Sequence, residues 1–256
     1  FSVLGIHESA QKYVAQHFGE KNAIDTITLS ALLISIVFGL LIASVLYLLS
    51  GPIGKLADSP YVGKGVALTT PGLFLFAINK VLMAVLNGEQ RMKEFALAQS
   101  VRVLVILISC LLIILFKLES YMLGACFTIA EMILIFPLFL IVQPRFKNNI
   151  VWLDVFEWGR HHFSFGSRAL TNGFLAESYI RVDILMLSVF VSDHAVGIYS
   201  FAALFIEGLY QIPGITRTIV NPILVRIIAS KTGLLPLARF CRRIIFFSGA
   251  IFILIG

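Results

Sequence analysis

The chain has 256 residues, of which 59% are hydrophobic and 13% are charged, and its mean hydropathy is +0.94. A soluble domain carries about 25% charged residues, so this composition indicates a polytopic membrane protein. The long unbroken apolar runs exclude a transmembrane barrel, whose strands alternate apolar and polar residues. The net charge of +6 does not predict nucleic-acid binding, because the basic residues are dispersed around apolar segments.

The first half of the chain predicts helices with short connections between them. Residues 1–18 are interrupted by polar side chains and resemble the end of a helix whose start is missing. Apolar runs long enough to span a bilayer follow at 27–50, 65–88, 96–116 and 121–142. We expect Gly51-Pro52 to end the first of these spans and Pro71-Gly72 to kink the second.

A short amphipathic segment is predicted at 151–163. Its helical spacing puts four apolar or small residues on one side, namely Trp152, Val155, Phe156 and Gly159. This pattern is typical of a helix that lies in the membrane interface. His161 and His162 are adjacent, so their rings point about 100° apart and cannot share a metal ion at i,i+4 spacing. We interpret them as an interfacial pair.

Two apolar helices with unusual polar content occupy 160–226, joined by a polar turn at 192–194. The first carries Arg168, Asn172, Glu177, Arg181 and Asp183, and the second carries Glu207, Gln211, Arg217 and Asn221. A charge at membrane depth costs roughly 2.5 kcal/mol or more, so such groups should face a bundle interior or a watery cavity. We predict that these two helices form the walls of a polar passage.

Several intramembrane charges have two open interpretations. Glu177 and Arg181 share a helix face, so they are either a cavity pair that exchanges partners during transport or a neutralising structural pair. Asp183 points to the other side, where it makes a structural hydrogen bond or holds a coupling ion. Glu207 forms a similar polar face with Gln211.

Three further charges lie in the earlier spans. Glu131 is the deepest lone acid, and it either exchanges a proton, since burial favours the neutral carboxyl group, or makes a satisfied helix contact. Lys80 and Arg102 lie near helix ends, where long side chains reach the headgroups. If they point inward instead, they make the mouth of the passage basic and suited to phosphate.

The distribution of basic residues predicts the orientation in the membrane. One set of loops holds twelve basic residues: Lys12, Lys21, Arg91, Lys93, Arg145, Lys147, Arg160, Arg226, Lys231, Arg239, Arg242 and Arg243. The opposite set holds Lys55, Lys64 and Lys117. We therefore expect the first set to be cytoplasmic. The count gives seven spans, the last of them an apolar run from 244 that is cut off at 256, so we expect an internal fragment of a longer protein.

The sequence contains no catalytic motif, and we expect neither an enzyme nor a metal site. Cys110, Cys126 and Cys241 stand alone, without the spacing of a zinc site or a disulfide framework. A polymerase subunit or a non-transporting scaffold is a further hypothesis. A polymerase would be expected to have large outer loops, whereas the longest outer loop predicted here is 51–63.

Two stretches resemble a known family. DILMLSVFVSDHAVGIYSFA, from Asp183 to Ala202, resembles the seventh-to-eighth helix region of polysaccharide biosynthesis proteins. These are lipid-linked oligosaccharide flippases of the multidrug/oligosaccharidyl-lipid/polysaccharide exporter superfamily. NKVLMAVLNGEQRMKEFALAQ, from Asn79 to Gln99, resembles the fourth helix and following cytoplasmic loop of that family. The chain departs from the family pattern at Ser188, where glycine is frequent.

The resemblance implies an all-α, polytopic transmembrane helix bundle with a MATE-like two-lobe transporter fold. On that mapping the chain covers about helix 2 to helix 9 of the family. Residues 1–143 would form an N-terminal lobe without its start, and 144–163 a cytoplasmic interfacial connection. Residues 164–256 would begin the C-terminal lobe.

The resemblance also implies a function in the bacterial cytoplasmic membrane. The protein would flip an undecaprenyl-pyrophosphate-linked oligosaccharide by alternating access, for polysaccharide or O-antigen export. Its partners would be that glycolipid, the lipid bilayer and polysaccharide-assembly machinery, without nucleic acid. No cofactor is implied beyond a proton or sodium gradient.

The candidate site residues follow from the charges within the spans. The substrate-cavity candidates are Arg181, Glu177, Arg217, Lys80 and Arg102, and the coupling-ion candidates are Glu131, Asp183 and Glu207. The alternative function is a cation-coupled multidrug antiporter of the same superfamily, which would need an acidic cavity. By placement, five basic residues, including Arg168, oppose four acidic ones, so the sequence leaves the sign of the cavity charge open.

Overall fold

The computed structural model describes residues 5–142 and 151–229, together with 239 and 242. Several side chains between 171 and 193, including those of Glu177 and Arg181, lie outside the described residues. The described part contains the helices α1 (Ile6–Gln16), α2 (Lys21–Leu56), α3 (Pro60–Gly88), α4 (Met92–Leu115), α5 (Leu123–Val142), α6 (Trp152–Phe190) and α7 (Asp193–Ala229). A short 3₁₀ turn, Ser120–Met122, leads into α5.

Five helical segments in the described part are long and apolar enough to cross a membrane: Lys21–Leu56, Pro60–Gly88, Met92–Leu115, Ser120–Val142 and His194–Ile228. This confirms the predicted all-α polytopic helix bundle. Helix α6, which was also predicted to span, is not among the five, and its second half carries Glu177, Arg181 and Asp183. The predicted span that begins at 244 lies outside the described residues.

The connection between α2 and α3 is much shorter than predicted. The expectation that Gly51-Pro52 ends the first span is wrong, because α2 continues through Pro52 to Leu56. The continued helix packs closely on α3, where a methyl group added to Gly54 would lie 3.1 Å from the Cα of Gly63. The connection therefore comprises only 57–59, rather than the 51–63 predicted for an outer loop.

Helix α6 is a single unbroken element. The prediction of a separate interfacial helix at 151–163 is wrong, because α6 runs from Trp152 to Phe190. The predicted apolar side is also incorrect, since Phe156 is 86% exposed while Val155 is buried. The start of α6 packs against α1 and α2, and this contact buries Val155, His162 and Gly166.

Helix α3 lies at the centre of the bundle and packs against α1, α2 and α5. It is unbroken through Pro71 and Gly72, and every residue from 81 to 88 is buried. Leu82 and Leu86 form the main apolar core with residues of α1 and α5. Helix α4, in contrast, exposes most of its apolar side chains, as expected for a face that meets lipid. The buried half of α3 therefore holds its polar residues in fixed positions.

Candidate functional site

A cavity of about 720 Å³ lies between helices α1, α3 and α4 on one side and α6 and α7 on the other. It is lined by the second half of α3, the first turns of α4 and the second half of α7. These are the helix ends that lead to the basic loops. Its polar lining residues are His7, Glu8, Gln11, Lys12, Lys80, Asn87, Gln99, Arg102, Arg217, Thr218 and Asn221.

The charged lining of the cavity is mainly basic. It comprises Lys12, Lys80, Arg102 and Arg217 against Glu8. The lining thus includes three of the predicted substrate-cavity candidates, Lys80, Arg102 and Arg217. A basic wall in a partly desolvated space attracts anions more strongly than the same charges would in water. Among the residues that the structure describes, the charged lining of the cavity is therefore positive in sum, a sign that the sequence left open.

Arg102 and Glu131 form a buried ion pair beside this cavity. Arg102 Nε donates to Glu131 Oε1 at 2.7 Å, and Arg102 Nη2 donates to Glu131 Oε2 at 3.2 Å. The Glu131 side chain is 0% exposed and that of Arg102 is 12% exposed. The description of Glu131 as a lone acid is therefore wrong. Arg102 points inward, because its guanidinium group meets a buried carboxylate in a two-point contact instead of reaching for the headgroups.

Asn79 of α3 completes this cluster. Its Nδ2 donates to Glu131 Oε2 at 2.9 Å and to the Glu131 backbone carbonyl oxygen at 2.8 Å. Three helices thus meet at one carboxylate: α3 through Asn79, α4 through Arg102 and α5 through Glu131. The arrangement supplies the partners that a buried charge requires.

Aromatic rings hold the cationic groups at the cavity wall. The ring of Phe76 has Lys80 Nζ at 5.3 Å and the Arg102 guanidinium carbon at 5.2 Å from its centre. Lys12 Nζ lies 4.8 Å from the ring centre of Phe165 on α6. Cation–π contacts stabilise a positive charge without neutralising it. The rings therefore stabilise these cationic groups at the cavity wall, where Arg102 is also paired with Glu131.

Direct contacts join α7 to the N-terminal helices at this end of the bundle. Asn87 Nδ2 of α3 donates to the carbonyl oxygen of Thr218 at 3.2 Å. The Arg226 guanidinium carbon lies 3.8 Å from the ring centre of Phe18, next to α1. In the first half of α7, large apolar side chains such as Phe205 and Tyr210 are exposed. The two groups of helices are thus tied together at the end with the basic loops.

The remaining predicted site residues lie elsewhere. Asp183 is exposed and accepts a hydrogen bond of 2.5 Å from the Tyr199 hydroxyl group of α7. Glu207 is half-buried and does not line the cavity. The side chains of Glu177 and Arg181 lie outside the described residues, so their pairing stays a prediction.

Sequence reasoning counted Arg168 as a cavity charge and missed part of the lining from α1. Arg168 is exposed, donates to Ser164 Oγ at 3.2 Å and does not line the cavity. The missed charges are Glu8 and Lys12, in a segment that was predicted only as a helix end. The signal was present, because Glu8 and Lys12 are four residues apart and share one helix face.

The interfacial interpretation of the histidine pair is wrong for His162. His161 is exposed, whereas His162 is fully buried between α1 and α2. His162 Nε2 lies 3.1 Å from the Ile27 carbonyl oxygen, which can only accept, so Nε2 carries the proton. Nδ1 then accepts from the Ser9 hydroxyl group at 2.8 Å. This neutral form joins three helices.

His162 lies in the first half of α6, before the apolar half of that helix. Burial lowers the pKa of His162 from 6.5 to about 4; the Ile27 hydrogen bond opposes this shift, and the neighbouring His161 adds to it. Among the residues that the structure describes, no group of three or more His, Cys, Asp or Glu side chains is arranged to hold a metal ion.

Together, the fold and the cavity define a polytopic membrane protein with a basic internal chamber between two groups of helices. The family model for polysaccharide biosynthesis proteins matches residues 12–251. The chain therefore belongs to the polysaccharide biosynthesis protein family, as the two resembling stretches indicated. No curated protein and no solved structure matched the chain.

Proposed function

We propose that this protein flips a lipid-linked oligosaccharide across the bacterial cytoplasmic membrane for polysaccharide or O-antigen export. The observation that carries the proposal is the basic cavity lined by Lys12, Lys80, Arg102 and Arg217. An undecaprenyl-pyrophosphate headgroup carries about two negative charges, and guanidinium and ammonium groups are strong partners of phosphate oxygens. Glu131 neutralises Arg102, and Glu8 opposes one other cation of the lining. The remaining positive charge of the cavity lining is therefore similar in magnitude to the negative charge of the pyrophosphate headgroup.

The position of the cavity supports loading from the cytoplasm. It lies at the helix ends that lead to the basic loops, and the positive-inside rule places those loops in the cytoplasm. The pyrophosphate and first sugars would enter the cavity, while the polyprenyl chain stays in the surrounding lipid. The protein holds and moves the headgroup and breaks no covalent bond, so the function is transport rather than catalysis.

Alternating access requires the two groups of helices to separate at one end and approach at the other. The contacts Asn87–Thr218 and Phe18–Arg226 close the end with the basic loops. In our proposal these contacts break when the cavity opens to the cytoplasm. The lobes would be 1–143 and 164–256, with 144–163 as the connection between them.

Energy coupling in this proposal uses a proton or sodium gradient. Asp183 and Glu207 remain candidates for the coupling ion, and Glu177 with Arg181 remains a candidate partner-exchanging pair. Polysaccharide-assembly enzymes would supply the substrate on the cytoplasmic side and consume it on the outer side.

A complementation experiment tests the proposal. The complete gene that encodes this chain is expressed in a bacterium that lacks its lipid-linked-glycan flippase, and surface glycan is quantified. The wild type should restore surface glycan. The double variant Lys80→Gln/Arg217→Gln should restore about a tenth of it or less at equal membrane expression, because two phosphate-binding charges are lost. Arg168→Gln, which changes an exposed arginine outside the cavity, should behave as the wild type.

The outcomes separate this function from its alternative. Restoration by the double variant at the wild-type level would show that the cavity charges do not bind the substrate. Failure of the wild type with every acceptor glycan, together with new resistance to cationic drugs, would establish the multidrug antiporter instead. Glu177→Gln and Arg181→Ala, measured in the same strain, test the predicted pair on α6.

A further inference from the structure

We infer that Glu131 and Asn79 are positioning residues that hold Arg102 as a fixed anion-binding group in the cavity wall, and that Glu131 does not carry the coupling ion. The inference rests on the proposed function, because the anion in question is the pyrophosphate of the lipid-linked substrate. It assigns a role to a buried carboxylate that lies behind the cavity and does not line it.

In the ion pair, Arg102 lies between the cavity and Glu131. Arg102 lines the cavity, whereas the Glu131 side chain is 0% exposed. Arg102 presents its Nε and Nη2 side to Glu131, with distances of 2.7 and 3.2 Å. A ligand in the cavity therefore meets the guanidinium group before it could reach the carboxylate.

The guanidinium group retains donors for a ligand. It has five N–H donors. Of these, two are directed to Glu131, and a third, on Nη1, donates to Gln99 Oε1 at 3.0 Å. The other two lie on the terminal nitrogens of a side chain that lines the cavity and is 12% exposed. A phosphate group can accept both of them in the two-point geometry that arginine favours.

Asn79 holds the Glu131 side chain in place, and Glu131 in turn holds Arg102. Its Nδ2 donates both to Glu131 Oε2 and to the Glu131 carbonyl oxygen, so the amide orientation is determined by two acceptors. A flipped amide would place an oxygen against the carboxylate. The carboxylate is thus held from two sides, and Arg102 loses less conformational entropy on binding an anion than an unheld arginine would.

The same contacts argue against ion coupling at Glu131. A coupling acid must exchange its ion with water during each cycle, but both oxygens of Glu131 already accept hydrogen bonds from Arg102. The pair also joins α4 to α5, which belong to the same group of helices. A movement between α1–α5 and α6–α7 therefore leaves the pair intact, which suits a fixed binding group rather than a moving part.

A charge-swap experiment separates positioning from a structural role. The purified full chain is titrated with inorganic pyrophosphate at constant ionic strength, and its melting temperature is measured in parallel. Glu131→Gln should lower the melting temperature and raise the Kd for pyrophosphate about 10-fold. The double variant Arg102→Glu/Glu131→Arg should regain most of the melting temperature, but its Kd should stay raised by about 10-fold or more, because the guanidinium group now lies behind the cavity wall.

Two milder variants keep the test decisive if the swapped protein does not fold. Arg102→Lys retains the charge but loses the planar fork, and Asn79→Ala removes only the neutral support of the acid. Each should raise the Kd several-fold and lower the melting temperature less than Glu131→Gln does, while Arg168→Lys should leave both values unchanged. An unchanged Kd in both milder variants would overturn the inference.

Two further outcomes would contradict the inference in different ways. A swap that restores both stability and pyrophosphate binding would make the pair purely structural. A Glu131→Gln protein that binds pyrophosphate normally, but whose transport no longer depends on the ion gradient, would make Glu131 the coupling site after all. If the wild type itself does not bind pyrophosphate, the proposed function fails and the positioning role falls with it.

Discussion

Thr128 of α5 inserts its hydroxyl group into the backbone hydrogen-bond ladder of α3, where its Oγ1 accepts a hydrogen bond from the Gly72 backbone N–H at 3.1 Å. The same hydroxyl group donates to the Leu68 carbonyl oxygen at 2.6 Å. In an uninterrupted helix, the N–H of Gly72 would bond to the carbonyl group of Leu68 directly. The preceding residue is Pro71, which lacks an N–H group and disturbs this turn. The hydroxyl group from α5 therefore satisfies the backbone groups next to the proline.

We predict that Thr128→Val destabilises the bundle by about 1–3 kcal/mol, because it removes the hydroxyl group that hydrogen-bonds to both the Gly72 N–H and the Leu68 carbonyl group. Thr128→Ser retains the hydroxyl group and should cost less. Melting temperatures in detergent at fixed pH and lipid content measure the difference. Equal stability of the valine and serine variants would show that the hydroxyl group does not support the helix.

Gly124 allows α3 and α5 to approach closely. A methyl group on Gly124 would overlap the carbonyl oxygen of Gly65 and lie 2.8 Å from Thr69 Oγ1. We predict that Gly124→Ala costs about 1–3 kcal/mol, as expected when extra volume is forced into a tight contact. Gly197→Ala is the matched control, since an added methyl group there meets no atom within 4 Å. The prediction fails if the two variants unfold at the same temperature.

The buried His162 should make the protein less stable in acid. Its pKa is about 4 in the folded protein and 6.5 ordinarily, so between these values the unfolded chain binds more protons. The contribution of His162 to the free energy of unfolding is therefore constant above pH 6.5 and falls as the pH drops from 6.5 to about 4. The shift corresponds to a loss of about 3 kcal/mol at the acid end.

Melting temperatures measured between pH 7 and pH 4 check this prediction. His162→Gln should be less stable than the wild type at pH 7 but should lose less stability on acidification. The control is His161→Gln, because His161 is adjacent but exposed. A pH dependence that is identical in the wild type and in the His162 variant would assign the acid sensitivity to other groups.

Cysteine labelling tests the orientation on which the proposed direction of transport depends. Lys93 lies at the end of the bundle with the basic loops, and Glu119 lies in the connection between α4 and α5 at the opposite end. In a background without the native cysteines, a membrane-impermeant thiol reagent should label Glu119→Cys in intact cells and Lys93→Cys only after permeabilisation. The reverse pattern would place the cavity at the outer face of the membrane.

Local hydrophobic patterning predicted most of the helical elements but not their ends. The span predicted at 27–50 lies within α2, which extends from Lys21 to Leu56. The sequence signal at Gly51-Pro52 was a strong helix terminator, and it was overridden by the close packing of Gly54 on Gly63. Likewise, 151–163 has its own amphipathic pattern, but packing on α1 and α2 makes it the start of a longer helix.

The sequence predicted that a polar cavity exists, but it identified only some of the residues that line it. Lys80, Arg102 and Arg217 were identified because charges within apolar spans are costly unless they face polar surroundings. Lys12 and Glu8 were missed because α1 is short and polar, and nothing in its local sequence indicates which helices it contacts. The pairing of Glu177 with Arg181 remains a prediction from helical spacing.

By itself, the sequence determined that this protein is an all-α membrane protein and a member of the polysaccharide biosynthesis family. The first property follows from the length and apolar character of each segment, and the second from residue patterns such as those of 79–99 and 183–202. Both are local. Only the tertiary structure decided that Asn79, Arg102 and Glu131 meet at one carboxylate, and that His162 is buried against Ile27. These partners lie on different helices, so their contacts depend on the rotation and axial register of one helix against another, which the period of a single helix does not specify.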